Sequence, residues 1–534
     1  MSPHFNLLDE PWIRVTRLGG ETDEVSLLSL FREAEDIEGI HGEIASQDVA
    51  ILRLLLAICH RTMGGPPDLA TWREYWQTPG KLGTEACTYL ERFRDRFDLR
   101  DPQRPFFQVA GLKSASKQRT LYPLSEIVAD VPKPGKLLFS QRLLPPNHPL
   151  SWPEAARWLI HLHAFDGPGT HSLADGDENA HRYAESGYLG KIGATYIRGG
   201  SLFQTLMFNT VVTGRTHGMK EVDTALDSPP WEREQDDAFG KRRRLLRGPA
   251  TCFTWQSRRA ILHGNEIEAT SLFFSNGDQA DLTNGFTAEP MTSWSLRNRT
   301  LQPYKPPAGL AAWRLLPAFI PQWTTGDSPN DRAPGVVEFH SIITRQYRDL
   351  RQPLLPLHIT SVTYDNDHIK DMIDDELVIP ERLLTDDNAR LIAVVRDSME
   401  STYEVVDVIK SLAANIDRAA GGNETTSRSA KGRAETGFLH AINERFPLWL
   451  IDLETATPDA ARDEWRALLR REAFRQQKAL TSQVPETAFA GRGEGANRMD
   501  VSTALFFFSR ALNLAVPSPE QPPSPTSTRE RTDA

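Results

Sequence analysis

The stretch NARLIAVVRDSMESTYEVVDVIKSLAANI, residues 388–416, decides the reading of the fold. Ile392, Val395, Met399, Tyr403, Val406, Ile409, Ala413 and Ile416 recur at alternating steps of three and four, which makes one face of a helix about 30 residues long. Outward from it, the polar run 419–436 reads as a loop. Further helices are expected near 436–454, 458–483 and 499–515, the second opening on Thr457 as N-cap with Pro458 in its first turn. Four helices with short connections predict a C-terminal four-helix bundle over residues 366–515. Residues 516–534 hold five prolines, six Ser or Thr and no aromatic residue, so they read as a disordered tail.

On the N-terminal side the periods are mixed. Trp12-Ile13-Arg14-Val15 alternates as a strand does. Residues 47–63 place apolar side chains at 49, 52, 55, 56 and 59, a helix, and another runs about 152–163 behind Ser151 as N-cap. Thr195–Val212 reads as strands around Gly199-Gly200, and 213–360 as short β-like runs among prolines. The expected class is therefore α+β: a large mixed α/β N-terminal domain, residues 1–365, followed by the bundle and the tail.

Hydrophobic residues make up 39% of the 534, enough to bury large cores, which excludes a mostly disordered chain. The most apolar run, Val49–Cys59, contains Arg53 and falls short of the roughly 18 residues of a membrane span. No basic segment followed by an apolar one opens the chain, so no secretory signal is read there. Cys59, Cys87 and Cys252 are far apart and odd in number, which fits a reducing compartment and excludes a CxxC zinc or redox site. A soluble cytoplasmic protein without membrane contact is expected. The net charge is −10; residues 365–534 contribute 21 − 29 = −8 of it and residues 1–364 only 40 − 42 = −2. Local patches, not the total, must decide whether nucleic acid is a partner.

His161, His163, His171 and His181, with Asp166, Asp175 and Asp177 among them, are ligand types of a hydrolytic zinc or manganese site. A metal-dependent nuclease using His161 and His163 is accordingly one alternative reading. Their spacing matches no metal signature, and a solvated loop of turn-forming residues explains them better, so no metal or other cofactor is assigned. Glycines 167, 169, 187, 190 and 193 punctuate the same region, where backbone N–H groups could approach a phosphate. Gly190-Lys191 is followed by Ile192, where a Walker loop needs Ser or Thr, so that route to nucleotide hydrolysis is unsupported. Three stretches lack acids altogether. Residues 131–150 carry Lys133, Lys136 and Arg142. Residues 241–260 carry Lys241, Arg242, Arg243, Arg244, Arg247, Arg258 and Arg259 with Phe253 and Trp255. Residues 291–326 carry Arg297, Arg299, Lys305 and Arg314 with Trp294, Tyr304, Trp313 and Trp323. Basic side chains neutralise phosphates and aromatics offer stacking faces. Residues 365–387 are the converse, nine acids against two bases, and read as a solvated domain junction rather than a Mg²⁺ site.

The opening Phe5-Asn6-Leu7-Leu8-Asp9-Glu10-Pro11-Trp12-Ile13-Arg14-Val15 resembles the start of the large subunit of type I-E CRISPR Cascade, the CasA family. The order of domains agrees up to about residue 515, and Tyr196-Ile197-Arg198-Gly199-Gly200, followed by an apolar strand, looks like the segment after that family's glycine loop. The resemblance implies a DNA-binding subunit without catalysis of its own. Such a subunit recognises a short motif beside the target, the PAM, in double-stranded DNA and opens the first base pairs. It seeds the R-loop with the CRISPR RNA, contacts the other Cascade subunits and recruits a helicase–nuclease. The family's exposed loop matches Leu138-Phe139-Ser140-Gln141, its glycine loop Gly167-Pro168-Gly169, and its minor-groove loop Tyr364-Asp365-Asn366-Asp367-His368, with His368 in the wedge position. Its lysine finger has no lysine over 261–304; Asn284-Gly285 and Arg297 stand there instead. The site residues expected are therefore Phe139, Ser140, Gln141, Gly167, Gly169, Asn366, Asp367 and His368 for the PAM, and Lys133, Lys136, Arg242, Arg243, Arg244, Arg297 and Arg299 for the DNA backbone. A third reading is a structural scaffold whose basic patches bind RNA or partner proteins.

Overall fold

The computed structural model describes residues 4–117, 120–131, 145, 147–177, 183–216, 218–234, 243–307, 309–321, 323, 331–365, 368–385, 388–482, 484–495 and 498–517. Phe139, Ser140, Gln141, Lys133, Lys136, Arg242, Asn366 and Asp367, and the tail from residue 518, lie outside them, as does the side chain of His368. The chain divides into two compact units, Met1–Leu377 and Val378–Ala534.

In the first unit the expected strand is Ile13–Arg17, the centre of an antiparallel three-stranded sheet between Thr22–Val25 and Ile37–Ile40. Its alternation buries Ile13 and Val15. The helix read at 47–63 is Ala45–Thr62, and it is buried all round rather than on one face. It is enclosed by the helices Pro79–Glu91, Trp152–Phe165, Leu202–Asn209 and Pro249–Phe253. Arg53 survives inside because both its terminal nitrogens bind the Glu289 carboxylate at 2.8 and 2.7 Å, and one also donates to the Cys252 carbonyl. Phe253 lies under the guanidinium at 4.5 Å. A buried charge persists only when paired in this way.

Helix Trp152–Phe165 starts as read, Ser151 accepting from the Glu154 amide. The segment after Gly199-Gly200 does not follow its expectation. Ala194–Ile197 is a strand, but Leu202–Asn209 is a helix capped by Ser201, which accepts from the Gln204 amide. A short, mostly apolar run broken only by Gln204, Thr205 and Asn209 is too brief to separate helix from strand by period; the cap decides. Ala194–Ile197 pairs with Leu354–Asp365, whose other neighbour is His368–Pro380. Two residues join the last two strands, so they can only be antiparallel, a long hairpin. The acidic run 365–387 is thus largely strand, not a junction loop. Its acids are bonded to neighbours: Asp374 lies 2.6 Å from His358 Nε2, Asp375 accepts the Ala312 amide, and Glu376 lies 3.5 Å from Arg198.

The second unit holds the helices Ala389–Ala419, Glu424–Asp452, Pro458–Ser482 and Val501–Ala515, with a short helix Glu486–Ala490. The first of these touches all the others. Its buried face accordingly widens beyond the stripe read from sequence, to include Val394, Val405 and Leu412. Trp465 donates to the Ser398 carbonyl and to Thr402 Oγ1, and packs among Phe446 and Trp449. Most of the polar run 419–436 is helix, not loop. Asn423 accepts from the Thr425 and Thr426 amides in a capping box, and burial begins only at Ala434. All three cysteines are free and buried in the first unit.

Candidate nucleic-acid interface

The clearest constellation is built around Tyr364, one residue before the end of its strand. Burial pushes its phenol far above the usual range, and its Oη donates to the Phe165 carbonyl at 2.7 Å. That carbonyl closes helix Trp152–Phe165, and the glycine loop Gly167-Pro168-Gly169 starts two residues later. Gly190 makes the approach feasible, since a Cβ there would occupy the place of the Tyr364 hydroxyl. Lys305 completes the cluster, its Nζ donating to the Gly190 carbonyl and standing 5.1 Å over the Tyr364 ring. Burial lowers the Lys305 amine to about 8. Asp166 anchors the loop from the other side, binding Arg258 Nε at 2.6 Å. The same guanidinium donates to the carbonyls of Gly167 and Glu185, and Gly169–Thr170 pairs with Tyr183–Ala184. The glycine loop and the end of strand Leu354–Asp365 are therefore held to one small hub, although 198 residues separate Gly167 from Asp365 in sequence. Sequence reasoning places Tyr364 at the head of the minor-groove match and Lys305 in an acid-free stretch as its lone lysine, but assigns neither a part in the site.

The arginines divide by burial. Arg258 and Arg259, read from sequence as part of a basic patch, are buried, the first on Asp166 and the second 3.1 Å from Asp278. Phe253, Trp294, Trp313 and Trp323 are core side chains, not stacking faces. Arg243 and Arg244 sit on strand Arg243–Leu245, parallel to Gln279–Asp281. Arg244 Nε is 2.8 Å from Asp278, whereas Arg243 is largely exposed, 3.5 Å from Asp281. Arg297 and Arg299 share the hairpin Trp294–Arg297/Thr300–Pro303, whose two turn residues, Asn298 and Arg299, have φ of 50° and 65°. All four residues from Arg297 to Thr300 are exposed. Asn284 is exposed too, but Gly285 lies buried against the Trp294 ring.

The described histidines are not brought together, and His181 lies outside the described residues. His161 Nε2 is 2.9 Å from Ser46 Oγ and its ring stacks on Phe165. His163 Nε2 meets the Phe107 carbonyl at 2.9 Å. Burial lowers both imidazoles to about 4. His171 lies 3.4 Å from Asp166. Among the described residues no three His, Cys, Asp or Glu side chains group to hold a metal ion. No described helix is long and apolar enough to cross a membrane.

The arginines and the strand-end hub thus belong to a large α+β unit joined in sequence to a helical unit. The family model described as CRISPR-associated protein Cse1 matches residues 6–476, and the chain belongs to that family, the large subunits of type I-E Cascade. It is 24% identical over 493 residues to the CRISPR-associated protein CasA/Cse1 of Thermus thermophilus, covering 89% of this chain and 92% of that one. The crystal structure of Thermobifida fusca Cse1 superposes with a TM-score of 0.83 at 28% identity, covering 96% of this chain and 98% of that one. A chain of a CRISPR RNA-guided surveillance complex shares the fold at 14% identity, with a TM-score of 0.72 over 96% of this chain and 99% of that one.

Proposed function

We propose that this chain is the PAM-recognising large subunit of an RNA-guided surveillance complex, working with the CRISPR RNA and the other subunits on double-stranded DNA. It reads the motif, starts strand opening to seed the R-loop, and helps recruit a helicase–nuclease; it catalyses nothing itself and needs no cofactor. The observation that carries the reading is the hub at Tyr364, which ties the glycine loop to strand Leu354–Asp365; Asn366, Asp367 and His368 follow that strand in sequence. In this reading Asn366 offers its amide to minor-groove acceptors, which A·T and T·A pairs present almost alike. His368 slides against the first unstacked pair, at a cost of a few kcal/mol that phosphate contacts and heteroduplex offset. Gly167 and Gly169, with Phe139, Ser140 and Gln141 of the exposed loop, flank the motif. Lys133, Lys136, Arg242, Arg243, Arg244, Arg297 and Arg299 hold the backbone.

The test is the reconstituted complex carrying Asn366→Ala or His368→Ala, with gel-shift titration beside permanganate footprinting. Asn366→Ala should reduce PAM discrimination by about 1–3 kcal/mol. His368→Ala should leave duplex binding intact and slow opening. Wild-type behaviour of both would move the reader elsewhere. Binding unaffected by EDTA, without cleavage, separates this reading from the nuclease; dependence on the PAM separates it from the scaffold.

A further inference from the structure

A second site lies away from the hub. Arg233, Arg243, Arg244, Arg247 and Trp255 line an open cavity of about 420 Å³, whose only lining acid among the described residues is Asp278. Asp278 is already engaged by Arg244 at 2.8 Å and by the buried Arg259 at 3.1 Å. The carboxylate is therefore neutralised from within, and the cavity keeps a cationic rim. Strand pairing fixes the backbone of Arg243 and Arg244, so part of the ordering cost of binding is already met. The rest of the lining mixes the polar side chains of Thr251, Thr254 and Gln256 with apolar groups. The indole of Trp255 is held by its Nε1 donating to the Asp278 carbonyl at 3.1 Å, and two leucines at the same cavity are exposed, Leu226 by 54% and Leu245 by 50%.

A bare anion would use the guanidinia and leave the indole and leucines wet. An acidic peptide would do the same. A ligand with both a phosphate and a flat apolar ring uses all of it, and the volume falls in the range of small-ligand sites. We propose that this cavity holds one nucleotide unit of a single nucleic-acid strand, its phosphate on Arg243 and Arg247 and its base against Trp255. The site deepens the DNA-binding reading and takes from it only the identity of the strand. Stacking on an aromatic side chain beside cationic groups is tolerant of sequence, so the pocket would grip a strand already separated, without reading it.

The experiment uses the full chain and a short fluorescein-labelled oligothymidylate, titrated by anisotropy over a range of salt. Arg243→Gln/Arg247→Gln should weaken binding about tenfold and make the salt dependence shallower, by about 0.7 in slope for each phosphate that is no longer neutralised. Trp255→Leu should cost about five- to tenfold at unchanged salt slope. An abasic oligonucleotide should bind the parent as weakly as the thymidylate binds Trp255→Leu. As a check that needs no variant, a 5-bromouracil-substituted oligonucleotide should photocrosslink to the peptide containing Trp255. Parental binding by both variants, equal binding of the abasic strand, crosslinks elsewhere, or equal displacement by polyglutamate would each overturn the proposal. Asn366→Ala should leave this single-strand titration unchanged, so a failure of PAM discrimination and a failure of the pocket are read separately.

Discussion

At the scale of single residues, two buried groups make measurable claims. Gly190 exists as glycine because the Tyr364 hydroxyl occupies the space of its Cβ. Gly190→Ala must displace that hydroxyl from the Phe165 carbonyl, and should cost about 1–3 kcal/mol, the penalty of an orphaned buried polar pair. Tyr364→Phe should cost less, and the double variant less than the sum, because both remove one interaction; urea midpoints of the four proteins check this, and strict additivity would refute it. The second group is His340, fully buried, with no hydrogen bond to either ring nitrogen and its pKa lowered to about 3 by burial. It is neutral when folded, but in the unfolded chain it takes up a proton below about pH 6.5. Its contribution is thus complete above pH 6.5 and is lost as pH falls toward 3. His60, His161 and His163 share the sign. Asp48, raised to about 7 by burial, has the opposite one, losing stability as pH rises from 4 to 7. His263 is lowered too, and Asp227 and Glu454 are raised; the lowered imidazoles still outnumber the raised carboxyls, so the protein should weaken in acid, and His340→Phe should flatten the slope between pH 6 and 4 by about 1.4 kcal/mol per pH unit. An unchanged slope in chemical unfolding across that range would mean the imidazole is protonated in the fold.

At the scale of elements, the hairpin Trp294–Pro303 turns through two left-handed residues, one of them Arg299 at φ 65°. Asparagine tolerates that conformation; for arginine it costs about 1 kcal/mol that glycine would avoid. Arg299→Gly should therefore raise the melting temperature while weakening binding to duplexes with and without the PAM alike. If binding is unchanged, the arginine does not touch phosphate. What was legible in sequence follows the same division. The helix from Ala389 announced itself because its apolar period runs unbroken for 31 residues. Helix Leu202–Asn209 did not, being short and mostly apolar, and the first turns of Glu424–Asp452 did not, being polar. Both were marked by their caps, Ser201 and Asn423, which weigh little beside composition in a linear reading. The acidic run from Asp365 concealed a strand because three of its carboxylates find partners in the fold: Asp374 pairs with His358 of the neighbouring strand, Glu376 with Arg198, and Asp375 with the Ala312 amide. The basic patches were half legible: charge was counted correctly, but Arg258 and Arg259 turn inward to partners that sequence cannot locate, and Arg53 to a glutamate 236 residues away.

At the scale of the whole molecule, the helical unit has its own core, centred on Phe446, Trp449 and Trp465. Residues 381–517 expressed alone should fold cooperatively, with the tryptophan signal and far-UV circular dichroism melting together; separate transitions would show that this core is incomplete without the rest of the chain. The cysteines of the first unit have a practical consequence. All three are buried, and burial raises the Cys59 thiol to about 12, so thiolate, the reactive species, is scarce in the folded state. The native protein should ignore Ellman's reagent and release three equivalents only on unfolding. A cysteine introduced at Asp365, which is exposed, would then be the sole labelling point without any native thiol being removed. A dye placed there would sit at the end of strand Leu354–Asp365, and its emission on adding duplex would show, in one intact protein, whether that end meets DNA as proposed.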